Sequence, residues 1–330
     1  MTDPLFIAQV CPYVTTSHGD YRYRIGQPSE ALAAIPGVSA VNLCTTSPRL
    51  LDVAREADVL VLHLLQEPDL LPVMAERKQL GRPTIYEIPD NFMAVPRHIS
   101  SLFDFGRALS LSLNFQLIRF ADVIQAVSDI LLDKYGFLND RRLRFENHVT
   151  EPGPPPRPLR EQVVIGWGGS VGHTDDLRWI APVITEICKE REDVRFSFMG
   201  DRGQFEDVFD SRRPEERIHY HPSGALEDYF RFLDTLDIGL APLLESPFNL
   251  CRSDVKFIEY ASRGVLPVLS DIAPYRVHAR HGENALLFQD PPHLKAALLE
   301  LLGDRSRLQR IRRNAYQYAA EHRLEALNAP

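Results

Sequence analysis

Short β-branched and aliphatic runs recur along the chain, each followed by a stretch whose apolar residues repeat at helical spacing. The runs are Leu5–Val10, Val38–Leu43, Asp58–Leu64, Pro83–Ile88, Asp122–Val127 and Arg142–Asn147, then Val163–Trp167, Val194–Met199, Arg217–Tyr220, Asp237–Ala241, Val265–Ser270 and Ala285–Phe288. Strands separated by helical stretches require crossovers, so the pattern predicts parallel sheets covered by helices. The rhythm breaks at Glu151–Pro158 (EPGPPPRP), a stiff, extended connector that neither a helix nor a sheet would absorb. The predicted architecture is α/β, with two Rossmann-like, doubly wound parallel-sheet domains facing across a cleft. The boundaries are 1–150 for the first domain, 151–162 for a Pro-rich linker and 163–304 for the second domain. The helical stretch 305–330 is expected to pack back on the N-terminal domain.

Composition narrows the class. At a prior of roughly 150 residues per domain, 330 residues suit two domains. With 44% apolar and 25% charged residues the chain is neither a disordered tail nor a disulfide-stapled module. Net charge is 37 − 45 = −8, and residues 1–150 carry 14 basic and 17 acidic groups against 23 and 28 in the rest, so neither half is a nucleic-acid footprint. Cys11, Cys44, Cys188 and Cys251 lie far apart, with no C-x-x-C pair and no N-glycosylation acceptor, which points to the cytoplasm. The N-terminal stretch lacks a basic region and reads as a first strand, not a signal peptide. Leu102–Phe120 comes closest to a membrane span, but Asp104, Arg107, Asn114 and Arg119 interrupt it. It reads as a helix covering a sheet, with peripheral membrane contact as the minority reading.

The densest chemistry lies in Pro247–Tyr275. Ser253 or Asp254 can cap a helix that Gly264 ends, and Arg252, Lys256, Glu259 and Arg263 recur at helical spacing on one face. A helix N-terminus with a lysine in its first turn favours an anion, and a glutamate one turn deeper can accept from a diol such as a ribose. The competing reading is a solvated helix face of paired charges. A second anion-type feature is VVIGWGGSVGHTDDL, where Gly166, Gly168, Gly169 and Gly172 lie between a strand and a helix opening near Thr174. It is neither a dinucleotide fingerprint nor a P-loop. Taken with Lys256 and Glu259, it suggests a nucleoside diphosphate between two helix N-termini. Asp175 and Asp176 read as ordinary acidic charge at a helix start.

Glu259–Asp271 (EYASRGVLPVLSD) resembles the E-A-x-A-x-G-x-P-V-V-x-S-D signature of the retaining GT-B glycosyltransferases of family four, the glycosyl transferases group 1 type. Asp237–Pro242 (DIGLAP) and Val194–Gly200 (VRFSFMG) resemble its neighbouring strands, and ADVLVL, IYEIPDNF and ADVIQAVS resemble acceptor-domain strands. The resemblance implies that Glu259 is the second Glu of a Glu-(seven residues)-Glu motif and holds the donor ribose. Lys256 and Arg252 then sit by the donor diphosphate, and Gly168, Gly169 and Ser170 approach the phosphates or the sugar. Two departures stand out. The first Glu of the motif falls on Cys251, and the usual basic pair after the first strand is replaced by GSVGH, with Ser170 and His173.

The function implied is a retaining transfer of a sugar from a nucleotide-diphosphate donor. No Asp-x-Asp pair is present to bridge Mg²⁺ to a diphosphate, so neither a metal nor another cofactor is expected. The acceptor is a glycan, a lipid-linked molecule or a natural product, and a lipid-linked one would need peripheral contact at the inner face of the membrane. Strand-end loops of the first domain hold His18, His63, Asp90, Asn91 and His98, of which Asp90 and His98 are the chosen catalytic candidates. Base contacts fall near Tyr220 and His221. Two other classes stay open: a non-catalytic nucleotide-sugar-binding partner subunit, motivated by Cys251, and a GT-B-fold nucleotide-sugar epimerase.

Overall fold

A computed structural model describes residues 4–13, 19–96, 108–209 and 213–325. The chain divides into two compact units, the first comprising Met1–His148, Leu250–Ser253 and Glu325–Pro330, the second Val149–Asn249 and Asp254–Leu324. All twelve expected strands form. The first sheet contains β1 (Leu5–Cys11), β2 (Val38–Cys44), β3 (Val59–His63), β4 (Thr84–Ile88), β5 (Val123–Ala126) and β6 (Arg142–Arg144), in the order β2-β1-β3-β4-β5-β6. The second contains β7 (Val163–Gly168), β8 (Val194–Gly200), β9 (Ile218–Pro222), β10 (Ile238–Ala241), β11 (Leu266–Ser270) and β12 (Leu286–Phe288), in the order β12-β11-β10-β7-β8-β9. Every adjacent pair is parallel. Strand order reverses between β1 and β3 in one sheet and between β7 and β10 in the other. Open parallel sheets hold ligands at such switch points, beyond the carboxyl ends of the strands.

One local device recurs. In each of the segments Ala57-Asp58-Val59, Ala121-Asp122-Val123 and Leu236-Asp237-Ile238 an aspartate precedes a strand and accepts the first free N–H of the neighbouring one. Phe6 N donates to Asp58 at 2.8 Å, Thr84 N to Asp122 at 2.9 Å and Val164 N to Asp237 at 3.0 Å. The carboxylates thereby satisfy donors at the N-terminal ends of interior strands and fix register. The sixth strand ends earlier than its pattern suggested. Phe145 N still donates to Ala126 O of β5 at 2.9 Å, while Arg24 takes the Phe145 carbonyl (2.6 Å) and the Asn147 side chain (2.8 Å) where the strand stops.

The helix Ala108–Phe120 occupies part of the Leu102–Phe120 stretch, and the rest of that stretch lies outside the described residues. Leu117 and Ile118 enter the first core, and Asn114, which broke the apolar run, is buried with its amide donating to Leu65 O and Tyr86 Oη, both at 2.9 Å. Among the described residues no helix is long and apolar enough to cross a membrane.

The Pro-rich segment is fastened to the second unit. Gly153 N donates to Ser262 O, Tyr316 Oη to Gly153 O, and Arg157 reaches the carbonyls of Asp234, Thr235 and Leu236. Gly264, at φ 65°, lies so close that a Cβ would meet the Pro156 backbone at 2.8 Å. The helix Arg305–His322 packs on helix Val255–Ser262 and β11 within the second unit. Ala261, Ala315 and Ala319 let these helices approach, and the buried Arg312 donates to Gly264 O at 2.8 Å.

Candidate functional site

The carboxyl end of β7 turns tightly. Gly169 N donates to Met199 O at 3.1 Å, and a Cβ at Gly169 would stand 2.7 Å from the Trp167 ring. Gly168 faces Tyr229, whose Cε2 would be 2.8 Å from an added Cβ. Tyr229, from helix Leu226–Leu233, brings the glycine loop into contact with helix Val255–Ser262. Its hydroxyl donates to Glu259 Oε2 at 2.7 Å and accepts from Lys256 Nζ at 2.6 Å, while Lys256 Nζ is 3.0 Å from the same Glu259 oxygen and 4.6 Å from the Tyr229 ring centroid. Glu259 is 4% exposed, so its charge is held by the ammonium and the phenol rather than by water. A cation and a hydrogen-bond-accepting carboxylate thus converge beside a glycine turn at the switch point of the second sheet.

The four-residue face read from sequence does not form. The helix begins at Val255, Arg252 precedes it and belongs to the first unit, and Arg263 follows it and pairs with Asp234 (Nε to Oδ1, 2.7 Å). Asp254 occupies the cap position without a capping bond, because Arg323 takes its carboxylate. Cys251 lies in the apolar cluster of the first unit, where burial pushes its thiol up. A carboxylate at that position would be desolvated, which accounts physically for the departure from the two-glutamate motif.

Ser170 precedes the short turn Val171–His173, and its carbonyl accepts from Gln204 Nε2 at 3.3 Å. His173 lies edge-on to Trp167 and 3.0 Å from Asp176. Tyr220 packs on Phe198 and Phe205 with its hydroxyl on Gly200 O (3.3 Å), while His221 is exposed against Phe232. These two lie on the far strand of the sheet, and His221 reaches the helix that carries Tyr229 through Phe232. Sequence reasoning missed Tyr229, whose only signal is that a glycine stands where its ring packs.

The switch point of the first sheet holds a second polar cluster. His63, at the end of β3, is 1% exposed, with Nε2 3.4 Å from Asp20 Oδ2 and without hydrogen-bond alignment at either ring nitrogen among the described residues. Its register partner on β4, Glu87, accepts from Arg24 Nε (2.8 Å) and Gln125 Nε2 (2.6 Å). Asp90, just past β4, has its carboxyl pushed up to about 6 by burial, with Arg252 and His63 opposing and Asp20 reinforcing the shift. His18 and His98 lie outside the described residues. Among the described residues no group of three or more His, Cys, Asp or Glu side chains is placed to hold a metal.

Residues 162–304 match the family model Glycosyl transferases group 1. That stretch, the second unit without its ends, is a glycosyl transferases group 1 domain. By structure, the chain is similar to the Anabaena protein Alr3699/HepE solved with UDP and glucose, at 14% identity over 98% of this chain and 97% of that one, with a TM-score of 0.69. It is also similar to TarM of S. aureus (11% identity, 83% and 56% coverage, TM-score 0.62) and to the pneumococcal O-GlcNAc transferase GtfA solved with UDP and GlcNAc (13%, 81% and 54%, 0.58). These likenesses establish the GT-B fold for the chain. No curated protein is significantly similar to it in sequence.

Proposed function

We propose that the chain moves a sugar from a nucleotide-diphosphate donor to a hydroxyl-bearing acceptor, with retention at the anomeric carbon and without a metal. The contact of Gly168 with the Tyr229–Lys256–Glu259 triad carries this reading. The glycine turn admits a diphosphate against the backbone, Lys256 opposes the charge that grows on the leaving group, and Glu259 accepts from the ribose hydroxyls. Arg252 moves in this reading from the donor diphosphate to the first-unit cluster, where it balances Asp90. With the leaving phosphate oxygen taking the acceptor proton on the same face, no separate general base is required. The cluster of His63, Asp20 and Asp90 suits an acceptor hydroxyl.

The uridine nucleotides bound to HepE and GtfA make UDP-sugars the first donors to test, with glycans as first acceptors. Time-dependent UDP release that requires an acceptor, persists in EDTA and yields a product of unchanged anomeric configuration is the expected outcome. UDP release that is equal with and without acceptor, or inversion in the product, overturns it.

Gly168→Ala adds a Cβ against Tyr229 and displaces the triad, so donor KM rises by about tenfold, the worth of one misplaced hydrogen bond. An unchanged donor KM would separate the glycine turn from the donor site. On the acceptor side, an ionised Asp90 makes acceptor kcat/KM rise with pH through about 6 and be lost as pH falls below it. Arg252 favours the ionised form, so Arg252→Ala moves that limb upward by about one pH unit. A limb that stays put assigns the titration to another group.

A further inference from the structure

The crevice of the second sheet is bordered by the turn after β7 and by the Pro242–Asn249 loop after β10, and one side chain ties both. Asp176, in the first turn of helix Thr174–Glu190, is 4% exposed. Its Oδ1 accepts from Leu244 N at 2.8 Å and from Asn249 Nδ2 at 3.2 Å, and its Oδ2 stands 3.0 Å from His173 Nδ1. Asn249 also donates to Leu244 O at 2.8 Å, which stiffens the far loop. An acidic residue favoured only by the helix dipole gains that benefit at the surface. Burying it costs several kcal/mol unless its oxygens are fully employed. Here both oxygens are employed, one on each side of the crevice.

Since a carboxylate only accepts, the proton of a neutral His173 belongs on Nδ1, and the lone pair on Nε2. We propose that Asp176 is a positioning residue for sugar transfer: it holds His173 in the Nδ1–H tautomer, so that Nε2 accepts from a hydroxyl of the transferred sugar, and it locks the glycine turn to the Pro242–Asn249 loop. This rests on the glycosyltransferase reading of the second unit. It also gives the GSVGH turn a function that suits its lack of a basic pair, because a neutral imidazole acceptor addresses the sugar, whereas Lys256 addresses the diphosphate.

Asp176→Asn separates the two duties. Leu244 N–H and Asn249 both donate, so they keep the amide oxygen, and the amide NH₂ turns to His173, where it requires Nδ1 to accept. The expected result is a His173 proton moved to Nε2, read by ¹⁵N-resolved NMR of histidine-labelled full-length protein. UDP-glucose binding and turnover should weaken by about tenfold, while the Kd of UDP, which lacks the sugar, stays within about twofold. His173→Ala combined with Asp176→Asn should be no worse than His173→Ala alone. An unchanged tautomer, equal weakening of UDP and UDP-glucose, or additive losses in the double variant overturns the proposal. If the wild-type protein turns over no donor, the transferase reading falls, and the tautomer measurement on the unliganded protein still decides whether Asp176 sets His173.

Discussion

Lys256→Ala lowers kcat for sugar transfer by about a hundred- to a thousandfold, the range found when a preorganised electrostatic donor is removed. The ammonium is mostly buried and already held against Tyr229 and Glu259, so little reorganisation is needed when a diphosphate takes up charge. The same enclosure gives the substitution a second consequence, because Glu259 is left as a buried carboxylate without its cation. Breaking a buried pair from one side costs about 3–5 kcal/mol, so a fall in activity alone would be ambiguous. Lys256→Ala with Glu259→Gln resolves it: the neutral amide keeps its contact with Tyr229, melting returns toward wild type, and transfer stays depressed. UDP release at saturating donor, measured beside thermal melts, reads both. If the double variant regains activity along with stability, Lys256 acts only as a structural counter-ion. Lys256→Arg should not restore the rate, since a planar guanidinium does not fit the position that a compact ammonium takes over the Tyr229 ring.

Why the fold was legible and the site only partly so follows from the range of the interactions. Strands of a parallel sheet are covered on both faces, so each reads as an unbroken aliphatic run. Runs such as Val163–Trp167 and Asp237–Ala241 carry that signal locally, and the aspartates at 58, 122 and 237 mark where strands start. Gly168, Gly169, Lys256 and Glu259 were legible because a glycine turn and an i,i+3 pair are short-range patterns. Arg252 was misplaced because periodicity does not register where a helix begins: counting back from Lys256 runs past Asp254 into a segment that belongs to the other unit. Tyr229 and Asp176 were missed as site residues for the opposite reason. The partners that define them, Glu259 for one and Leu244 and Asn249 for the other, lie 30, 68 and 73 residues away. On the first unit, the sequence marked His63 and Asp90 as strand-end residues, but their shared surroundings of Asp20, Glu87, Arg24 and Arg252 exist only once four separate segments meet.

Arg323→Ala is expected to destabilise the second unit by about 3–5 kcal/mol. Arg323 donates through both terminal nitrogens to the two oxygens of Asp254, at 2.5 and 3.0 Å, and both residues are buried. Its carbonyl also accepts Val149 N at 2.9 Å, so the residue fastens the chain end to the start of the unit. Removing the guanidinium strands the Asp254 carboxylate next to the first turn of the helix that carries Lys256 and Glu259. For a unit of this size the loss corresponds to a fall of roughly 10 °C in melting temperature. Asp254→Ala alone should cost a comparable amount by stranding the cation instead. Asp254→Asn with Arg323→Met removes both charges and should recover much of the stability, because desolvation is then no longer uncompensated. A double-mutant cycle on the alanine variants separates the pair from simple loss of packing. A coupling energy above about 2 kcal/mol marks the ion pair as the stabilising element. Additive losses would instead assign the effect to the aliphatic stem of Arg323. If donor affinity falls in Arg323→Ala and returns in the charge-free pair, Asp254 and Arg323 act on the donor site through the placement of the Lys256–Glu259 helix.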